Sequence, residues 1–126
     1  MEPSEKFCEY CQIAASKIPA KLAYSDENVF ALIPETPITE GHVIVAPRTH
    51  YETIFTIDAT SLDQVIKTAR KLAHKLEEKN NVDGVSIIHA SADIIGRSHD
   101  HFHLHIIPRT PGDDLDLWIQ NRQLVH

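Results

Sequence analysis

The chain has 126 residues, of which 42% are hydrophobic and 24% charged, and this suits one globular domain with a sizeable core. Its formal charge of −6 argues against a protein that coats nucleic acid, which needs a basic surface, but allows a small phosphate ligand in a local pocket. No apolar run approaches the roughly 20 residues of a membrane helix, and residues 1–6 contain no apolar signal segment. We therefore expect no membrane partner and, by default, a cytoplasmic location.

The first half of the chain predicts one short helix and three short strands. Residues 7–18 carry a helical pattern that Pro19 ends. Beyond it, β-branched and aromatic stretches separated by turn-forming residues predict strands over Lys21–Ser25, Val29–Ile33 and His42–Ala46. The third stretch is mostly apolar, as expected for a buried central strand.

The second half predicts one long helix and two further strands. Apolar residues recur every three or four positions from Ser61 to about Lys79, which is typical of an amphipathic helix, and Asp58 is one candidate for its N-cap. Val85–Ala90 predicts the next strand. The expected class is α+β, a mainly antiparallel sheet with one long helix. Residues 1–126 form a single domain in this interpretation, with a core of about 7–109 and a C-terminal tail of 110–126.

A run of alternating histidines follows. His101, His103 and His105 alternate with apolar residues, and this period of two predicts a strand that Pro108 stops. The histidines would share one face of the strand, about 6–7 Å apart, while the apolar residues pack on a core. A row of imidazoles on one rigid face indicates either a metal site or proton and nucleophile chemistry.

The loop before this strand favours a phosphorus centre over a carbonyl. Gly96 lets the backbone approach a ligand closely, Arg97 matches phosphate geometry with two parallel hydrogen bonds, and Ser98 adds a hydroxyl.

Residues 96–109, Gly-Arg-Ser-His-Asp-His-Phe-His-Leu-His-Ile-Ile-Pro-Arg, resemble the motif of the histidine triad (HIT) family, in which three histidines alternate with apolar residues. The resemblance covers about residues 7–109. The flanking segments that also match in order and spacing are Phe7–Ile13, Ile18–Ala20, Glu40–Val45 and Pro47–His50.

This resemblance implies hydrolysis or nucleotidyl transfer at the α-phosphate of a nucleotide. By position, His103 would be the nucleophile and would carry a covalent nucleotidyl group, which water then releases as a nucleoside monophosphate. His105 would hydrogen-bond the phosphate oxygens, Ser98 would contact the phosphate or the leaving group, and His42 would line the same site. Gly96 and Arg97 belong to the expected substrate-binding set.

Cys8 and Cys11 have the spacing of metal ligands, although two inert thiols fit the same pattern. The resemblance implies a structural zinc, since many family members with this pair bind one, and by position His50 and His101 would complete the site. His99 is a rival ligand. Related proteins are commonly homodimers, so we expect a homodimer here.

Three positions depart from the family pattern. Arg97 stands where Gln is usual, which affects recognition of the phosphate or leaving group. An Asp that often contacts the ribose aligns at Pro34, so the neighbouring Glu35 is our candidate for that contact. A family Asn aligns near Ala90 or at His89, and a lone histidine on a strand is more often structural than a ligand.

The sequence therefore favours an enzyme whose partner is a small-molecule nucleotide. The substrate would be a phosphoramidate or a dinucleoside polyphosphate. Two alternatives stay open at this point. One is a nucleotide-binding regulator with little turnover, and the other is a zinc-dependent hydrolase.

Overall fold

The computed structural model describes residues 7–79, 82–91 and 101–117. Helices and strands are mixed along these residues, as the predicted α+β class requires, and one helix is much longer than the other. In chain order the elements are α1 (Glu9–Ala14), β1 (Leu22–Ser25), β2 (Val29–Leu32), β3 (Val43–Pro47), α2 (Ala59–Glu77), β4 (Gly84–Ile88) and β5 (Leu104–Arg109).

The five strands form one antiparallel sheet in the order β1-β2-β3-β5-β4. Strand β5, the last strand in the described residues, is therefore inserted between β3 and β4. In this register His105 lies opposite Ile44 on one side and Ile88 on the other. His105 is thus placed in the interior of the sheet, where the neighbouring strands hold it from both sides.

The two faces of the sheet carry different partners. The long helix α2 covers one face with Val65, Ala69, Leu72 and Leu76, the spacing that the amphipathic pattern predicts. None of the helices in the described residues is long and apolar enough to cross a membrane. The strand residues packed against α2 are Val29, Ala31, Val43, Val45, Leu104 and Ile106, joined by Phe102. The other face holds a smaller cluster in which α1 packs on Phe30, Leu32, Ile44 and Ala46.

The end of the histidine run differs from the prediction. Pro108 does not stop the strand, because β5 continues through it and Pro108 pairs with Val85. A proline has no backbone N–H to give to a neighbouring strand. Here the Pro108 carbonyl accepts a 2.8 Å hydrogen bond from the Thr39 hydroxyl, on the side where β3 has not yet begun at Val43. The missing donor therefore breaks no bond between strands.

The start of the run also differs. Strand β5 begins at Leu104, so His101 and His103 lie just before it and only His105 lies within it. The alternation is kept all the same, because Phe102 and Leu104 are buried against α2. The prediction that the apolar residues of the run pack on a core is confirmed.

The other boundaries shift by a few residues. Helix α2 begins at Ala59, two residues before the predicted start, and the Asp58 carboxylate accepts a 2.8 Å hydrogen bond from the Ser61 N–H as its N-cap. Trp118, Ile119 and the rest of the tail beyond residue 117 lie outside the described residues.

Candidate metal centre and histidine cluster

Helix α1 brings the two cysteines to the start of the histidine run. Cys8 is the N-cap of α1, and its thiol accepts a hydrogen bond from the Cys11 N–H at 3.4 Å. Both thiols thereby point to the same side of the first helical turn. Their ligand atoms and those of His50 and His101 all lie within 4.8 Å of one another. These are the four residues expected for the metal site.

The distances fit a tetrahedral ion. A zinc ion at about 2.3 Å from sulfur and about 2.0 Å from nitrogen holds those atoms about 3.5 Å apart. The Cys8 and Cys11 sulfurs lie 3.4 and 3.6 Å from His101 Nδ1, and the Cys11 sulfur lies 3.2 Å from His50 Nδ1. Two sulfurs and two imidazole nitrogens are a donor set that zinc favours. These four side chains could hold a metal ion.

His101 has the hydrogen-bonding pattern of a prepared ligand. It is fully buried, and its Nε2 lies 2.8 Å from the Pro47 carbonyl oxygen. A carbonyl only accepts, so Nε2 donates its proton and Nδ1 keeps the lone pair that faces the cysteines. This type of outer hydrogen bond orients a metal-binding histidine and fixes its tautomer.

The Cys11 thiol needs a nearby cation to ionise at neutral pH. Burial, followed by the adjacent Cys8 thiol, raises the pKa of Cys11 to about 11. A thiol with this pKa is protonated at neutral pH, whereas a metal ligand must be a thiolate. Binding a divalent metal would reverse this balance.

His103 lies two residues beyond the candidate metal ligand His101 and has a fixed tautomer. Its Nδ1 lies 2.8 Å from the carbonyl oxygen of His101, so Nδ1 donates and Nε2 carries the lone pair. The edge of the Tyr10 ring packs against both histidine rings, with centroids 5.7 Å from His101 and 5.3 Å from His103. Burial raises the pKa of Tyr10 to about 12, so this neighbour is a neutral phenol.

His105 has the opposite tautomer because of His42. The buried His42 ring accepts a 3.0 Å hydrogen bond at Nδ1 from the Ile38 N–H, so in the neutral ring the proton is on Nε2. That nitrogen lies 3.0 Å from His105 Nδ1 and donates to it. In a neutral His105 the remaining proton is therefore on Nε2.

Two features keep His42 in this role. Burial lowers the pKa of His42, which favours the neutral ring that the Ile38 contact requires. The preceding Gly41 has a φ of +94°, and a Cβ there would lie 3.1 Å from both Leu76 Cδ2 and Pro108 Cγ. A glycine is therefore needed for the chain to turn into β3 with His42 at its entrance.

The other predicted site residues are not joined to this cluster by the described structure. Gly96, Arg97, Ser98 and the rival ligand His99 lie outside the described residues, and their roles stay predictions. Glu35 is exposed in the loop between β2 and β3, and its contact with the ribose is likewise untested.

Two residues, Tyr10 and His89, have contacts at the site that the sequence does not predict. Tyr10 received no role, although an aromatic residue between two candidate cysteine ligands must lie near whatever they bind. A lone histidine on a strand predicts a structural role for His89, and the contacts of its ring agree with this. Its Nδ1 lies 2.9 Å from the carbonyl oxygen of His103, and its ring stacks on Phe102 with centroids 4.4 Å apart.

Comparison with known proteins agrees with this architecture. The HIT domain model matches residues 15–112. A HIT-like protein of Methanocaldococcus jannaschii is 37% identical over 106 residues, which cover 84% of this chain and 81% of that protein. An adenosine 5′-monophosphoramidase of Candida albicans is 26% identical over 110 residues, covering 84% of this chain and 72% of that protein.

The solved structures include a zinc-bound histidine triad family protein from Mycobacterium smegmatis. It superposes with a TM-score of 0.81 at 27% identity and covers 91% of this chain and 84% of that one. The family match spans most of the chain and includes the whole histidine run. The chain therefore belongs to the HIT family.

Proposed function

We propose that the protein is a hydrolase or transferase that acts at the α-phosphate of a nucleotide derivative through a covalent intermediate on His103. The observation that carries this proposal is the pair of opposite tautomers. His103 has its lone pair on Nε2, while His105 next to it has its proton on Nε2. One ring can attack phosphorus and the other can donate to a phosphate oxygen.

In the first step His103 Nε2 forms a bond to phosphorus. The bond from phosphorus to its bridging nitrogen or oxygen breaks, and the electron pair leaves with that atom, which takes a proton from solvent or a nearby donor. The His103 ring becomes cationic, and the His101 carbonyl that accepts its Nδ1–H stabilises this charge. His105 donates to the phosphoryl oxygen on which charge is concentrated.

In the second step water attacks the same phosphorus atom and gives a proton to solvent. The bond between phosphorus and His103 Nε2 breaks, and its electron pair returns to the ring. A nucleoside monophosphate is released and His103 is neutral again. His103 is buried and His105 is partly buried, and this limits the access of water to the phosphorus atom during the first step.

The proposed substrates are a nucleoside phosphoramidate and a dinucleoside polyphosphate. The first has support from the Candida albicans relative, which is an adenosine 5′-monophosphoramidase. If Arg97 contacts the phosphate, as its position in the family motif implies, its positive charge in place of the usual Gln would favour the more highly charged leaving group of a polyphosphate.

We further propose that the metal is a structural zinc. These four protein ligands would fill a tetrahedral shell and leave no position for a substrate, which is the pattern of structural sites. Its contribution would be to hold α1 against the segment that carries His103. This favours a role for the metal in folding over the alternative of a zinc-dependent hydrolase.

The test is turnover of adenosine 5′-phosphoramidate and diadenosine polyphosphate, measured as AMP release by chromatography. We expect His103→Ala to abolish AMP release. We also expect a labelled covalent adduct in the native protein after an acid-free quench and none in His103→Ala. His74→Ala is the matched control, because His74 is exposed on α2 and faces away from the site. Wild-type turnover by His103→Ala would refute the mechanism, and tight nucleotide binding by an inactive native protein would favour a regulator.

A further inference from the structure

The segment His101–His103, which carries the proposed nucleophile, is held by hydrogen bonds to residues outside the sheet. His101, Phe102 and His103 precede β5, so the pairing of strands does not fix them. The Phe102 N–H donates to the Tyr51 carbonyl at 2.6 Å, and the carbonyl of His103 accepts from His89 Nδ1 at 2.9 Å. The direction of the His103 peptide therefore depends on a side chain that the proposed mechanism does not use.

His89 is itself held in one tautomer by a chain of hydrogen bonds. The Ile54 N–H donates to the Ser91 hydroxyl oxygen at 2.8 Å, so the hydroxyl proton is available for another acceptor. The Ser91 hydroxyl contacts His89 Nε2 closely, and it donates there. The ring proton of His89 is then on Nδ1, which faces the His103 carbonyl. Each donor in this series of hydrogen bonds has one acceptor, and the last acceptor is the backbone carbonyl of His103.

Packing fixes the plane of the same ring. His89 is partly buried at the exit of the edge strand β4, and its ring lies on Phe102 with an angle of 34° between the planes. Phe102 is 1% exposed and is anchored against α2. The ring can therefore neither tilt away from the His103 carbonyl nor turn its other nitrogen towards it without losing the Ser91 contact.

We propose that His89 is a positioning residue for the nucleophile, acting through the backbone carbonyl of His103. This inference rests on the proposed function, because it takes His103 as the attacking group. The hydrogen bond from His89 Nδ1 fixes the orientation of the His103 carbonyl, and this orients the backbone from which the His103 side chain projects. A displacement of about 1 Å at a reacting group can cost on the order of 100-fold in rate.

The experiment compares two amides at position 89. In His89→Asn the amide nitrogen occupies the place of Nδ1 and keeps the donor to His103. In His89→Gln the amide nitrogen reaches the place of Nε2 and loses that donor. We expect kcat of His89→Asn within about threefold of the native value and kcat of His89→Gln reduced about 10- to 100-fold, with KM nearly unchanged in both.

A further variant tests Ser91, at the other end of this series of hydrogen bonds, where a substitution is less of a risk to folding. Ser91→Ala removes the donor to His89 Nε2, one of the contacts that keep the ring from turning, so kcat should fall while His89 stays on Phe102. The NMR signal of the His89 Nδ1–H gives a readout besides activity. The His103 carbonyl selects the Nδ1–H tautomer in both proteins, so we expect that tautomer in each and faster exchange of the Nδ1 proton in Ser91→Ala.

The outcomes separate this inference from the proposed function. Equal kcat in native protein, His89→Gln and Ser91→Ala would overturn the positioning role and leave the His103 mechanism standing. A parallel rise in KM with no change in kcat would also overturn it, since it would indicate a role in ground-state binding. A native protein with no turnover of either substrate would overturn both.

Discussion

The contact between His42 and His105 gives the sharpest test of the site. In His42→Phe the ring shape is roughly kept, but the acceptor for the Ile38 N–H and the donor to His105 Nδ1 are both lost. In His42→Gln the amide nitrogen can reach the place of Nε2, so the donor to His105 is kept and only the Ile38 contact is lost. The two variants differ mainly in whether the tautomer of His105 is fixed.

The structure sets the expected magnitudes. Each polar group left without a partner in a buried site costs about 1–3 kcal/mol. Two such groups make His42→Phe less stable by about 2–6 kcal/mol, and one makes His42→Gln less stable by about 1–3 kcal/mol. For catalysis, His105 in His42→Phe loses the bias that keeps a proton on its Nε2. Removing a donor to a developing oxyanion entirely costs about 10²–10³ in rate, so a weakened bias should cost about 10- to 100-fold in kcat.

Two measurements on the same samples check this reasoning. Urea unfolding followed by circular dichroism gives the loss of stability, and initial rates of AMP release give kcat below the unfolding temperature of each variant. We expect His42→Gln to retain kcat within about fivefold of the native value despite its lower stability. If kcat falls equally in both variants, or if His42→Phe turns over at the native rate, then the tautomer of His105 is not what His42 controls.

Three further predictions concern acidity, metal and assembly. Burial lowers the pKa of His42 below its ordinary value of 6.5, so as the pH falls the unfolded chain binds a proton at His42 before the folded chain does. The contribution of His42 to the free energy of unfolding is therefore complete above pH 6.5 and falls as the pH drops below that value. Urea unfolding should then show a smaller stability difference between native protein and His42→Gln at lower pH. Elemental analysis should find about one zinc per native chain and per His74→Ala chain but little in Cys11→Ser or His50→Ala, and a folded, metal-free native protein would contradict this. Ile87 is 52% exposed on the edge strand β4, so light scattering should give a dimer for the native protein and a monomer for Ile87→Lys, and an unchanged mass in the variant would place the interface elsewhere.

Hydrophobic periodicity predicts most of the fold, and the predictions that are wrong concern the ends of helices and strands. The spacing of Val65, Ala69, Leu72 and Leu76 predicts α2 because a helix must bury one stripe. Pro108 shows where local rules are insufficient. Whether a proline ends a strand depends on whether the missing N–H would have faced a partner, and that depends on Thr39 and the start of β3, which are far away in the sequence.

The sequence also predicts that Cys8, Cys11, His50 and His101 come together, as the structure shows, but it does not predict the protonation of the neighbouring histidines. In the sequence His103 and His105 are equivalent, each a histidine between apolar neighbours. Their tautomers differ because His103 Nδ1 meets the carbonyl of His101, two residues away, whereas His105 Nδ1 meets the side chain of His42, 63 residues away. A spacing pattern contains no such information.

The same contacts connect the two halves of the site. His101 offers its Nδ1 lone pair to the metal centre and its backbone carbonyl to His103 Nδ1. A metal that holds the His101 side chain would therefore also hold the acceptor that keeps the lone pair of His103 on Nε2. Metal loss should then reduce kcat even under conditions where the chain stays folded, although the metal has no open position for substrate.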